Sequence, residues 1–313
     1  MSVHVIIGRG ATAHATALQL AESGDEVRVV SRTGGGPEHP GVTRIALDAG
    51  DATALAEVAA GAATIINCAM PAYHTWPQTV PPLFGAILSA AERTGATYVM
   101  LGNLYGYGPV DGPLTEDLPL AATGPKGLVR ARMWLEAKAA HDAGRVRVTE
   151  VRAGQFLGPG AFSTFTALVL PKVLAGHLAV VPAALDTPHS YTSVGDAARA
   201  LGTVARDERA LGQAWHAPVV VTSVRTAATR LAELADAPPP QLAEMTDREL
   251  TLLGTTAPFW NELWETHHMS HRPFVVDASR IEKTFGLAAT PLDEVLTATL
   301  RQAEIPPRVL TTA

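Results

Sequence analysis

The fold is decided by the stretch from Val3 to Ala13, which reads VHVIIGRGATA. An apolar, β-branched run ends in a glycine-rich turn, and an alanine-rich helix follows at once. This G-x-G-x-x-A pattern predicts a pyrophosphate cradle: the first glycine allows a tight turn, the second admits the phosphates, and the alanine packs closely on the sheet. The N–H groups of the first helical turn then face the phosphates. The alternative is an ordinary tight strand–helix turn. The ligand-binding residues predicted here are Gly8, Arg9, Gly10, Ala11, Thr12 and Ala13.

The same alternation continues through the first half of the chain. Short β-branched runs such as Glu26–Ser31 alternate with longer Ala/Leu-rich stretches such as Ala11–Ser23. Near-continuous apolar strands separated by helices predict a parallel sheet covered on both faces, and right-handed crossovers make it doubly wound. Further strands are predicted at Thr64–Cys68, Tyr98–Leu101 and Val146–Arg152, and further helices at Ala52–Ala60, Val80–Thr94 and Leu128–Ala143.

After about residue 153 the alternation loosens, and Pro and Gly recur. We therefore expect a nucleotide-binding domain at residues 1–155, to which the chain returns at about 188–216, and a smaller α+β cap at residues 156–313. In this second half helices are predicted at Phe162–Leu174, Val194–Arg206, Thr226–Ala235, Asp247–Leu253 and Leu292–Gln302, with short strands at Leu178–Val181, Ala214–His216 and Phe274–Val276.

Composition excludes several classes of protein. Apolar residues make up 47% of the 313 residues, which excludes a disordered chain. With 24 Lys+Arg against 30 Asp+Glu the net charge is −6, which argues against nucleic acid or an anionic membrane as the main partner. A single cysteine excludes a disulfide framework. Without an 18-residue apolar run or a basic leader, a cytoplasmic location is expected. The His267–His271 stretch is expected to be a loop without a bound metal.

The end of the second predicted strand bears on cofactor choice. NAD-binding folds place an Asp or Glu there for the ribose 2′-hydroxyl, but this chain has Ser31 and Arg32. Both side chains can bind a 2′-phosphate, and Arg9 in the glycine-rich turn adds a second positive charge. The sequence therefore predicts NADP(H) in preference to NAD(H). The alternative is that Arg32 is a solvated loop cation.

Further motifs lie along the chain at Leu47–Asp51, Asn67–Pro71, Tyr107–Pro109, Pro113–Asp117, Val151–Gly160, His189–Ala200 and Phe285–Leu292. Their order and spacing resemble those of an extended short-chain dehydrogenase/reductase of the NAD-dependent epimerase/dehydratase type, and the resemblance covers nearly the whole chain. It implies a Rossmann-type doubly wound parallel sheet with a smaller α+β substrate domain. It also implies that Asp48 contacts the adenine and that Ala69, Met70 and Gln155 lie beside the cofactor.

The chain departs from this family at the residues of catalysis. The family uses Ser/Thr, Tyr and Lys, with a Y-x-x-x-K pair on the helix after the fifth strand and a Glu four residues on. If Glu136 is that Glu, Arg132 stands at the Lys position and Leu128 at the Tyr position. The Ser position falls on Asn103. All three residues are changed, and no Y-x-x-x-K occurs in the sequence.

Other polar residues near strand ends are candidates for the missing chemistry, because doubly wound folds place active sites at the C-terminal ends of their strands. Each has a structural alternative: packing for the tyrosines, a turn for Asn103, a helix-surface pair with Glu136 for Arg132, and a loop cation for Lys126. The catalytic candidates are Asn103, Tyr107, Lys126 and Arg132, with Tyr73, His74 and Tyr105 expected at the same edge.

Three functions are compatible with these features. The first is an NADP(H)-dependent oxidoreductase acting on a small carbonyl or alcohol through a non-standard site. The second is a redox-neutral epimerase, isomerase, dehydratase or cyclase on the same fold. The third is an NADP-sensing regulator resembling the NmrA-like proteins. A small molecule is the expected partner, and the resemblance also implies a homodimer through the Leu83–Ala91 and Leu128–Ala140 helices.

Overall fold

A parallel sheet of seven strands forms the centre of the computed structural model, which describes residues 1–303. The strands of this sheet and of two smaller sheets are, in chain order, β1 (Val3–Ile7), β2 (Glu26–Ser31), β3 (Val42–Ala46), β4 (Thr64–Asn67), β5 (Thr97–Asn103), β6 (Val148–Ala153), β7 (Gln155–Leu157), β8 (Ala179–Val181), β9 (His189–Ser193), β10 (Ala214–His216), β11 (Val220–Thr222) and β12 (Leu242–Glu244). The spatial order in the main sheet is β10-β6-β5-β4-β1-β2-β3, and its pairs are all parallel. The order reverses between β1 and β4, which is where such folds bind dinucleotides.

Helices cover both faces of this sheet. They are α1 (Ala11–Glu22), α2 (Ala52–Val58), α3 (Trp76–Thr94), α4 (Pro125–Asp142), α5 (Leu170–Leu174), α6 (Val194–Val204), α7 (Val224–Leu234), α8 (Asp247–Gly254), α9 (Pro258–Glu262), α10 (His267–His271), α11 (Ser279–Phe285) and α12 (Leu292–Ala303). Side chains alternate along a strand, so Val5 and Ile7 pack with α2, α3 and α4, whereas Ile6 packs with α1 and α6. The predicted doubly wound α/β fold is confirmed. In the described residues no helix has both the length and the apolar character needed to cross a membrane.

The second half of the chain builds a smaller α+β unit. It contains a sheet in the order β11-β9-β7 and a pair formed by β12 and β8, with its own apolar core around Phe165 and Tyr191. The chain also contributes β10 to the main sheet, while α6 packs against α1. The domain boundary near residue 155 stays a prediction, and the end of the predicted cap, residues 304–313, lies outside the described residues.

Several elements differ from the sequence prediction, and three of them show why. The edge strand β3 was not predicted from the residue pattern, because its side chains are half-buried or exposed. The predicted helix Phe162–Leu174 begins instead as a π-helical turn at Phe165–Val169 and becomes α5 before Pro171, which has no N–H to donate. The predicted strand Phe274–Val276 forms only isolated bridges, from Phe274 to His189 and from Val276 to Leu114.

Candidate functional site

The glycine-rich turn has the shape of a phosphate cradle. Gly8 has a φ of +115°, and a Cβ there would lie 3.1 Å from the backbone nitrogen of Ala69 and the carbonyl carbon of Cys68. Only glycine fits this conformation and this approach. A Cβ on Gly10 would have nothing within 4 Å, so the space above the turn is open. Helix α1 begins at Gly10 without a side-chain cap, which leaves its first N–H groups available to an anion.

The other predicted residues of this turn contribute mainly through the backbone. Thr12 and Ala13 are buried against the sheet, and Ala11 is half-buried. A Cβ on Gly160 would lie 3.0 Å from the Cβ of Ala11. The Gly-Pro-Gly segment that follows β7 therefore lies against the start of α1. Gln155, at the beginning of β7, is half-buried in the same connection.

Two arginines border the loop after β2. Arg9 and Arg32 are both exposed, and the Arg9 side chain lies 3.0 Å from the position that a Cβ on Gly35 would take. Ser31 is buried, and its hydroxyl donates a hydrogen bond of 3.0 Å to the carbonyl oxygen of Gly35. The serine thus shapes the loop, while the two guanidinium groups give its rim positive charge. Asp48, after β3, is exposed and accepts a bond from the backbone N–H of Gly50.

The residues of helix α4 that face the sheet are not the pair that the sequence predicted. Leu128 and Arg132 lie outward, with Leu128 51% exposed and the Arg132 side chain 71% exposed. Arg132 pairs with Glu136 at 2.6 Å, four residues away on the helix surface. Lys126 and Arg130, which have the same four-residue spacing, are both buried. This placement argues against a catalytic Arg132 and shifts the expected register by two residues.

Lys126 lies in the first turn of α4, and two carboxylates of the cap surround it. Its Nζ is 2.6 Å from Oε2 of Glu262 and 2.9 Å from Oε2 of Glu265. It also donates to the carbonyl oxygen of Glu262 at 3.1 Å and lies 4.9 Å from the centre of the Tyr73 ring. Lys126 is therefore a buried, paired cation rather than a loop cation, and both glutamates are functional candidates that sequence reasoning missed.

Arg130 was also missed by sequence reasoning. Its guanidinium donates to the carbonyl oxygen of Leu101 at 3.2 Å and to the sulfur of Met70 at 3.3 Å, and it lies 4.9 Å from the centre of the Trp76 ring. Met70 is 40% exposed, so Arg130 reaches the predicted cofactor edge from inside the protein. The sequence contains one indication of its position: Arg130 follows Lys126 by four residues, so the two side chains lie on the same face of a helix.

Two tyrosines meet at the ends of the neighbouring strands β4 and β5. The Tyr73 hydroxyl donates to the Tyr105 hydroxyl in a very short hydrogen bond, and Tyr105 stacks on Trp76 with ring centres 6.0 Å apart. Burial raises the pKa of both phenols above the ordinary value of 10. For Tyr105 the bond from Tyr73 and the charges of Arg130 and Lys126 act in the opposite direction.

Asn103, two residues before Tyr105, forms a side-chain hydrogen bond with the backbone. Its side-chain oxygen accepts a hydrogen bond of 3.2 Å from the N–H of Tyr105. Asn103 thus stabilises the turn that presents Tyr105, which is the structural alternative noted for it. It is half-buried at the C-terminal end of β5, the edge at which its family position was expected.

Tyr107 lies on the other side of the same turn and is 1% exposed. Its hydroxyl accepts a bond of 2.6 Å from Arg152 and lies 2.8 Å from Nε2 of His216. Arg152 also pairs with buried Glu150 at 2.7 Å. Tyr107 therefore belongs to a polar network under β6 and β10, and this position argues against the predicted catalytic role.

A cleft of about 180 Å³ opens beside Tyr105, between the turn after β5 and the cap. Its lining includes Tyr105, Gly124, Glu265, His268 and Met269. The predicted loop at residues 267–271 is the short helix α10, in which the rings of its first and last histidines stack 3.7 Å apart. Within residues 1–303 no group of His, Cys, Asp or Glu side chains has the arrangement of a metal site.

The chain belongs to the NAD dependent epimerase/dehydratase family, whose model matches residues 5–216. This match confirms the family resemblance and the expectation of an enzyme. A comparison with curated protein sequences gives no match.

Solved structures share the fold over nearly the whole chain. An epimerase from Methanothermobacter thermautotrophicus has a TM-score of 0.80 at 15% identity, covering 97% of this chain and 92% of the other. A UDP-N-acetylglucosamine 4-epimerase from Methanobrevibacter ruminantium, in complex with UDP-N-acetylmuramic acid, has a TM-score of 0.80 at 14% identity and covers 97% and 98%. The dTDP-glucose 4,6-dehydratase DesIV from Streptomyces venezuelae, with NAD bound, has a TM-score of 0.77 at 18% identity and covers 96% and 97%. At these identities the likeness concerns the fold alone.

Proposed function

We propose that this protein is an NADP(H)-dependent oxidoreductase that acts on a small carbonyl or alcohol substrate. The observation that carries the proposal is the placement of the phosphate cradle at the end of β1 and of the half-buried tyrosine pair in the turns that follow β4 and β5. These strands are adjacent in the sheet, in the order β1, β4, β5. A dinucleotide that crosses the switch point next to β1 would bring its nicotinamide half toward the tyrosines.

The cradle fits a nicotinamide dinucleotide. Gly8, Gly10 and the start of α1 would hold the pyrophosphate, and Arg9 and Arg32 would bind the 2′-phosphate that distinguishes NADP(H) from NAD(H). Structural relatives described with NAD support this cofactor class but not the choice of NADP(H). When bound, the cofactor supplies or accepts the hydride. Met70 and Ala69 border the same space from the loop after β4.

Tyr105 is the proposed proton donor in place of the missing family tyrosine. Tyr73 donates its hydrogen to the Tyr105 oxygen, so the proton of Tyr105 remains available to another acceptor, and Tyr105 is one of the residues that line the cleft. A phenol is protonated near pH 7, and burial, which raises the pKa of Tyr105, keeps it so. The group can therefore protonate a carbonyl oxygen as that oxygen is reduced. Arg130 and Lys126 would stabilise the negative charge that develops on the phenol oxygen.

A redox-neutral epimerase or dehydratase reaction is the second candidate. Glu262 and Glu265 favour it, because carboxylates beside a tyrosine pair can remove a proton next to a carbonyl group. The described relatives are themselves epimerases and dehydratases. In such a reaction the cofactor would be restored within each turnover. The regulator hypothesis has less support, since a hydrogen-bonded tyrosine pair beside buried Arg130 and Lys126 is not needed to sense a nucleotide.

Mixing the protein with NADPH or NADH and a panel of carbonyl compounds tests the proposal. We expect at least tenfold tighter binding of NADPH than of NADH, and loss of the reduced-nicotinamide absorbance with at least one carbonyl. NADPH binding without consumption would overturn the oxidoreductase in favour of the redox-neutral reaction. Equal or reversed affinities would overturn the NADP(H) preference, and no binding of either nucleotide would overturn both readings.

A further inference from the structure

A carboxylate of the protein itself occupies a binding position at the start of α4. Oε1 of Glu265 accepts a hydrogen bond of 2.8 Å from the backbone N–H of Gly127, and Oε2 accepts one of 3.2 Å from the backbone N–H of Lys126. Oε2 also lies 2.9 Å from the Nζ of Lys126, a side chain that is 98% buried. Both carboxylate oxygens are therefore bound, one of them by a buried ammonium group.

The backbone around this position is shaped to the carboxylate. A Cβ on Gly124 would lie 2.5 Å from the carboxyl carbon and from Oε1 of Glu265, so a side chain at this residue would fill the position. A Cβ on Gly127 would lie 2.7 Å from the carbonyl oxygen of Tyr105. The start of α4 is thus packed directly against the turn that carries Tyr105. The cleft of about 180 Å³ is lined by Tyr105, Gly124 and Glu265 together.

The charges here favour one monoanionic group. Lys126 and Glu262 neutralise each other at 2.6 Å, and the start of α4 adds a partial positive charge of about half a unit. Glu265 supplies one negative charge to this arrangement. A carboxylate from a ligand could replace it without changing the number of buried charges, whereas a phosphate dianion would add one. Burying an additional uncompensated charge is costly.

The segment that carries Glu265 buries few apolar side chains. We call residues 258–271 the strap. Helix α9 of the strap buries no residue, α10 buries only Met269, and the Trp264 side chain is 38% exposed. Segments with few buried apolar residues open at low free-energy cost. The strap can therefore release Glu265 without disturbing the core of either sheet.

We propose that the carboxylate of Glu265 stands in for a carboxylate group of the substrate and leaves its position when that group binds. The substrate is then an acidic carbonyl or alcohol compound, anchored by Lys126 and the N–H groups at the start of α4, with its reacting oxygen toward Tyr105. This inference rests on the proposed function for the role of Tyr105. The binding position itself does not depend on that role.

Titration with acetate, in the presence of NADPH, tests the exchange without requiring turnover. Removing the internal competitor in Glu265→Ala is expected to tighten acetate binding about tenfold or more, because a tethered group competes at about millimolar effective concentration or above. Glu136→Gln, which removes an exposed carboxylate on the outer face of α4, is the matched control and should leave acetate affinity unchanged. Adding Lys126→Met to Glu265→Ala should abolish the gain.

If Glu265→Ala does not fold, Glu265→Gln keeps the size of the side chain and should show the same direction of change, with near-ultraviolet circular dichroism as the check on folding. Acetate binding that is no tighter in the Glu265 variants than in the wild type would overturn the proposal. Tighter binding of inorganic phosphate than of acetate would overturn the carboxylate class. Absence of NADPH consumption would count against the proposed function and would leave the acetate result to decide this inference.

Discussion

Replacing Gly8 by alanine tests the phosphate cradle. At a φ of +115° a residue with a side chain is strained, at a cost of about 1–3 kcal/mol. The new Cβ would also lie 3.1 Å from backbone atoms of Cys68 and Ala69, which cannot rotate away as a flexible side chain could, so the turn or the loop after β4 must shift. With overpacking included, we expect Gly8→Ala to lower the free energy of unfolding by about 2–4 kcal/mol.

Gly24→Ala is the matched control, because Gly24 also has a positive φ, +89°, but a Cβ there would have nothing within 4 Å. It should show only the backbone cost. Urea unfolding measures stability, and fluorescence titration measures NADPH affinity. We expect the Kd for NADPH to rise at least about tenfold in Gly8→Ala, since a shift of this turn removes phosphate bonds worth about 1.5–3 kcal/mol each. Equal stabilities and unchanged NADPH affinity in both variants would refute the reasoning.

Three further predictions concern other parts of the molecule. Tyr107→Phe should lower the free energy of unfolding by about 1–3 kcal/mol in urea titrations, because a buried arginine and a buried histidine lose their shared partner. Arg32→Ala should raise the Kd for NADPH about tenfold and leave that for NADH unchanged in parallel titrations. Burial alone would raise the pKa of Asp25, but bonds from the Ser2 N–H and from Arg206 outweigh it and lower the pKa to about 2. The carboxylate therefore contributes about 2 kcal/mol of stability above pH 4, lost as the pH falls toward 2, and Asp25→Asn should flatten acid unfolding over that range.

The parts of the site that are local in sequence could be predicted from it. The turn from Gly8 to Ala13 combines strand, glycines and helix within a few residues, so its geometry follows from the pattern. The altered triad is an expectation from the family resemblance, because no Y-x-x-x-K occurs in the sequence. The doubly wound sheet is a consequence of alternating strands and helices, and the structure has it.

The orientation of α4 could not be predicted, because it depends on how the helix docks. A register based on Glu136 placed Arg132 at the site. A shift of two residues on a helix turns a side chain by about 200°, so the inward pair is Lys126 and Arg130. The surroundings of Tyr105 and Tyr107 differ for a similar reason. The two residues are two positions apart in a 3₁₀ turn, so their side chains point in directions about 240° apart.

The contacts between the cap and α4 could not be predicted from any pattern in the sequence. Glu265 and Gly127 are 138 residues apart in the chain, and neither belongs to a motif that would bring them together. Only the packing of the strap on the start of α4 creates this contact. The same applies to Tyr73 and Tyr105, which meet because β4 and β5 are neighbours.

We propose that Tyr105 transfers the proton at a site supplied with a nicotinamide dinucleotide, and the kcat of Tyr105→Phe measures that role. Tyr191→Phe, which changes a buried tyrosine in the core of the cap, is the control for loss of a hydroxyl. With a substrate from the carbonyl panel, we predict that Tyr105→Phe lowers kcat by about 10²-fold or more. Its Kd for NADPH should stay within about twofold of the wild type, and Tyr191→Phe should keep near wild-type kcat. A kcat that is unchanged in Tyr105→Phe would contradict the account.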